Sequence, residues 1–101
     1  MSFKPYHYDH IDGFIRHYAL SLNAQGVIDV MNNGIQSESD AKTFCDFIPI
    51  LLDQRLADEQ AGKQMPIDIG SGVIGDLHHE AGSFVCDAGF EAVWDTMIDQ
   101  L

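Results

Sequence analysis

Positive charge is scarce in this chain. Lys4, Arg16, Lys42, Arg55 and Lys63 are its only lysines and arginines, against sixteen aspartates and glutamates, and the formal charge is −11. Such a field repels polyanions, so the sequence argues against direct binding to nucleic acid or to an anionic membrane and favours a basic protein as partner. The scarcity is also uneven. Residues 64–101 hold seven carboxylates and no lysine or arginine, an arrangement that costs compactness through self-repulsion.

Cysteine and long apolar runs are equally sparse. Cys45 and Cys86 lie in apolar surroundings without C-x-x-C spacing, which reads as two buried thiols, a Cys45–Cys86 disulfide being the alternative. No run approaches the roughly 18 apolar residues of a membrane span. Met1 to Asp12 lacks the apolar core of a signal peptide. The expectation is a cytoplasmic protein with reduced thiols. With 46% hydrophobic residues, residues 1–101 can bury a core as a single domain, preceded by an extended arm over residues 1–8 whose aromatics pack on the body.

What is present in quantity is helical periodicity. Asp9 caps a first predicted helix with Ile11, Phe14, Ile15, Tyr18, Ala19 and Leu22 on one face, in spite of Gly13. Asn23 caps a second, with Val27, Ile28 and Met31 inward and Asn33-Gly34 as its stop. A third begins at Ser37 or Ser39 and places Ala41, Phe44, Cys45, Ile48, Leu51, Leu52 and Leu56 together. Pro49 should kink it or divide it in two. Phe47 and Ile50 fall off that face, which marks a helix central in the fold or one half-covered by a symmetry mate. The overall expectation is an all-α bundle of about five helices, with short extended segments near residues 66–69 and 84–86.

Residues 87–101 carry the chain's clearest pattern. Phe90, Val93, Trp94, Met97, Ile98 and Leu101 form one stripe of a predicted helix, and Asp87, Glu91, Asp95 and Asp99 form another at strict i+4 spacing. The apolar stripe explains docking. Carboxylates four apart repel by a few tenths of a kcal/mol per pair, so the acidic stripe does not help the helix form.

Candidate chemistry is thinner. Gly70-Ser71-Gly72-Val73-Ile74-Gly75 satisfies G-x-G-x-x-G, a pattern whose physical setting is a strand, a phosphate-approaching turn, a helix and a second strand ending in an acid. Residues 66–69, a short helix over 73–81 that Ser71 caps and that ends by Gly82, residues 84–86 and Asp87 could fill those places. The run Ile67-Asp68-Ile69-Gly70-Ser71-Gly72 resembles the first motif of class I S-adenosylmethionine-dependent methyltransferases over about a fifth of the chain, and that resemblance implies a nucleotide or cofactor site at Gly70, Gly72 and Gly75. The surrounding doubly wound sheet has no counterpart in this sequence.

His7, His10 and His17 lie near one another in sequence, and His78-His79-Glu80 forms a second cluster. Neither has the spacing of a metal site, although His78 or His79 with Cys86 is a zinc candidate. No serine occupies a nucleophile elbow, and neither cysteine has a catalytic context. No enzyme, cofactor or metal is therefore expected.

The acidic row remains. Its carboxylates recur about every 6 Å along a helix, coarser than the ~3.4 Å interval of phosphates along a DNA strand, so Asp76 and Glu80 are drawn in to complete it. The expected function is an interaction module that binds a basic, nucleic-acid-binding protein through Asp87, Glu91, Asp95, Asp99, Asp76 and Glu80, and inhibits it by partial nucleic-acid mimicry. The profile is similar to that of small acidic inhibitors encoded by phages and plasmids, an analogy of class that rests on no shared motif. The alternatives are a small cofactor or nucleotide binder using Gly70–Gly75, and a homo-oligomeric structural subunit meeting its mate through Phe47 and Ile50.

Overall fold

The computed structural model describes the backbone of residues 5–62 and 73–100, and the side chains of residues 11–62, 75 and 77–100. Five helices account for most of them: α1 (Pro5–Ser21), α2 (Gln25–Asn33), α3 (Glu38–Gln60), α4 (Val73–Asp87) and α5 (Glu91–Asp99). The expected all-α bundle is the observed fold. α1 packs on α2, α3 and α4, while α5 lies against both α3 and α4. All five contribute to one core, in which Ile11, Phe14, Ile15 and Ala19 of α1, Phe44, Ile48 and Leu51 of α3, and Leu77, Ala81 and Val85 of α4 are wholly buried.

Helix starts depart from the sequence reading in instructive ways. α1 begins at Pro5, so residues 5–8 are not an extended arm and Asp9 is inside the helix instead of capping it. Proline at a first helical position has its φ already set and lacks only a donor that would be unpaired there anyway. Asn23, expected to cap α2, adopts φ 58° and closes α1. The Asn23 N–H donates to the Leu20 carbonyl at 3.2 Å and the Ala24 N–H to the Ala19 carbonyl at 2.7 Å, the paired bonds of a Schellman motif. Ala24 then serves as the N-cap of α2, with no side-chain capping bond. Gly34 ends α2 with φ 86°. At α3 the choice between two serines resolves on Ser37, whose Oγ accepts from the Asp40 N–H at 3.1 Å.

α3 runs unbroken through Pro49. The proline removes one backbone donor, but Phe47, Ile48 and Leu51 on either side are buried and hold both halves to the core. Because Phe47 is buried in its own chain, it is not available to a symmetry mate, whereas Ile50 is 53% exposed. Leu22 and Leu56, expected inward, are also exposed.

α4 and α5 reverse two glycine assignments. The segment 84–86, expected to be extended, belongs to α4, which passes through Gly82 and ends at Asp87. A Cβ at Gly82 would lie 3.1 Å from Cε2 and Nε1 of Trp94, so this glycine permits close helix packing. The predicted helix over 87–101 breaks instead at Gly89, with φ 92°. The Gly89 N–H donates to the Cys86 carbonyl and the Phe90 N–H to the Val85 carbonyl, a second Schellman motif. The other expected extended segment, 66–69, lies outside the described residues.

Gly13 lies exposed inside α1 with open space where a side chain would begin. Gly13→Ala should therefore stabilise the protein by about 1 kcal/mol, which urea denaturation followed by circular dichroism will measure.

Candidate functional site

Gly89 places the acidic row on two helices. Asp87 is the last residue of α4, and Glu91, Asp95 and Asp99 run from the first to the last residue of α5. All four are exposed. The turn nonetheless keeps them together. The Cys86 thiol, free and half-buried, has its ionisation pushed up by burial first and then by the negative charges of Glu91, Asp95 and Asp87. Asp87 of α4 and Glu91 and Asp95 of α5 thus all act on one thiol.

Helix polarity makes the arrangement less favourable. A helix C-terminus carries partial negative charge and prefers a cation, yet none of the five helices has a basic residue in its last turn. α4 and α5 both end in aspartate. Of the described cations, Arg16 pairs with Asp12 and donates to Asn32 Oδ1 at 2.8 Å, and Arg55 pairs with Glu59. Asp87, Glu91, Asp95 and Asp99 have no hydrogen bond or ion pair among the described residues.

Beside this row runs a trough of about 350 Å³ between α3 and α5. Its α3 bank is Glu38, Lys42 and Asp46, and its α5 bank is Ala92, Thr96 and Gln100. Val93 and Met97 form the floor. Sequence reasoning missed this feature. Each bank does repeat at i+4, but two rows become one trough only when the packing of α3 on α5 is known.

The other expected site residues fare differently. Glu80 is only 8% exposed, with Oε2 buried and unpartnered, and so is not part of the exposed acidic face. The Asp76 side chain, Gly70 and Gly72 lie outside the described residues. Gly75 is inside α4, and residues 84–86, the second strand that the glycine fingerprint requires, are helical. Asp87 accordingly ends a helix and not a strand.

His78 and His79 precede Cys86 on α4 by eight and seven residues, about 10–12 Å along the axis, too far apart to share a zinc ion. Among the described residues no group of three His, Cys, Asp or Glu side chains is placed to hold a metal, and no helix is long and apolar enough to cross a membrane. Cys45 is buried and free, its thiol pushed up to about 11 by burial and then by Asp46 and Cys86. Both thiols are therefore poor nucleophiles at neutral pH.

No family model matches the chain, and no curated protein or solved structure matches it significantly.

Proposed function

We propose that this chain is an acidic interaction module that binds a basic, nucleic-acid-binding protein through the exposed face of α4 and α5 and competes with nucleic acid for it. The observation that supports this reading is the placement of Asp87 and Asp99 at the negative ends of their helices, beside Glu91 and Asp95, with no ion pair to any of them among the described residues. At those two helix ends folding alone favours a cation. A partner bearing lysines and arginines supplies the missing countercharge and is drawn in faster by the field. The row is coarser than a phosphate backbone, about 6 Å against ~3.4 Å, so the mimicry is of charge and not of detailed geometry.

The test is affinity capture from a host lysate with the native chain and with Asp87→Asn/Glu91→Gln/Asp95→Asn/Asp99→Asn. The native chain should retain a nucleic-acid-binding protein that is released by rising salt and by added duplex DNA. The fourfold variant should retain none of it while keeping its helical circular dichroism and gaining a few tenths of a kcal/mol in stability. Equal retention by both chains would remove the acidic row as the contact.

A further inference from the structure

We infer that the trough between α3 and α5 seats a short cationic amphipathic helix of the partner, apolar side chains down and basic side chains against its banks. The inference rests on the function proposed above and adds the form in which the partner's charge arrives.

Length comes first. Glu38 to Asp46 and Ala92 to Gln100 each cover nine residues, a rise of about 12 Å, so two rows of equal length, one on each helix, bound a trough of about two turns. A third helix laid in it meets both banks at its own i, i+3, i+4 and i+7 positions, the usual mode by which a helix occupies a groove.

The floor is apolar. Val93 is half-buried, and Met97, 5% exposed, offers a deformable thioether to an incoming side chain. Ala92 and Thr96 are short, so the α5 bank does not fill the space above it. The α3 wall carries two acids to one lysine, the α5 wall is uncharged, and two acids of α5 stand just outside the trough. Glu38 and Asp46 are exposed on α3, and Asp95 and Asp99, exposed on α5, fall about 60° and 20° around the helix from Ala92, on its outer side. Among the described residues none of these four carboxylates has a hydrogen bond or ion pair of its own. A comparable cavity between α2 and α3 lacks this property. There Asp29 accepts from Gln25 and Asp40 accepts from the Gln36 N–H.

Lys42 is the exception within the trough, a single cation between Glu38 and Asp46. Its presence weakens any cationic occupant, and this gives the inference a signature that the neighbouring acidic row does not share.

Two synthetic peptides of about three helical turns are the probes, both rich in lysine and arginine. One carries leucines at i, i+4 and i+7, and the other carries glutamines there. Binding is read by fluorescence anisotropy and amide chemical shifts. The leucine peptide should bind at least tenfold more tightly, with shifts at Glu38, Lys42, Ala92, Thr96 and Gln100. Ala92→Arg should weaken it about tenfold, and Lys42→Gln should tighten it several-fold, both variants retaining native circular dichroism. If the two peptides bind alike, and binding responds to Asp87→Asn/Glu91→Gln but not to Ala92→Arg or Lys42→Gln, the trough is not the seat, while the acidic module stands. Failure of the leucine peptide to bind overturns the trough. Failure of the full-length partner to be captured overturns the module itself.

Discussion

Trp94→Ala should cost roughly 3–5 kcal/mol, a large part of the 5–15 kcal/mol by which a domain of this kind is stable. Trp94 and Met97 are the buried side chains of α5, with Val93 and Ile98 packed partly buried beside them, so the indole is the largest single anchor of that helix. Its ring lies over Gly82 of α4, where an added Cβ would approach Cε2 and Nε1 to 3.1 Å and Cζ2 to 3.2 Å. Gly82→Val forces branched methyls into the ring and should cost about 1–3 kcal/mol by overpacking. The double variant is the sharper test. Once the indole is gone the valine occupies part of the space it left, so the two penalties should fall well short of additive. Urea titrations of the four proteins, followed by circular dichroism because Trp94 is the only tryptophan, decide the matter. Strict additivity would show that Gly82 does not set the approach of α5 to α4.

Between pH 10 and about 12 the protein should lose about 2–3 kcal/mol of stability that Tyr18→Phe does not lose. Tyr18 is 1% exposed, and its Oη donates to Asp58 Oδ2 at 3.2 Å. Burial, then the charge of Asp58 and the hydrogen bond to it, push the phenol's ionisation up to about 12. The unfolded chain releases that proton near pH 10. A group raised in the folded state contributes stability that is fully present below its unfolded value and disappears as pH rises through the folded one. At neutral pH Tyr18→Phe forfeits only the hydrogen bond, about 1 kcal/mol, since Asp58 keeps its contact with Gln54 at 2.9 Å. Parallel alkaline limbs for the two proteins would place the sensitivity elsewhere.

The core of α1 was legible from spacing alone. Ile11, Phe14, Ile15, Tyr18 and Ala19 repeat at helical intervals, and all five are buried. Punctuation was less legible. Gly82 reads as a helix end and Gly89 as a helix interior, and the fold reverses both, because the residue type is the same and only the indole of Trp94 against one of them tells them apart. Asn23 poses a similar ambiguity, since a side chain suited to an N-cap is also one that tolerates positive φ. In the acidic row, periodicity identified Glu91, Asp95 and Asp99 correctly as residues on one exposed helix face. Asp87 keeps their company through the turn at Gly89, not through shared helical register. Glu80 has the same chemistry but points inside, a matter of tertiary packing. The trough was invisible for the same reason, since it exists only between elements.

The contact proposed for the acidic row also crosses the junction at Gly89. Asp87 is carried by α4, while Glu91, Asp95 and Asp99 are carried by α5, and Phe90 ends the motif of one helix and caps the next. A partner that grips the whole row therefore spans the joint between two rigid rods. On the proposed function such a grip would splint α5 to the rest of the bundle, and amide protons in α5 should be the ones whose exchange with solvent slows most on binding.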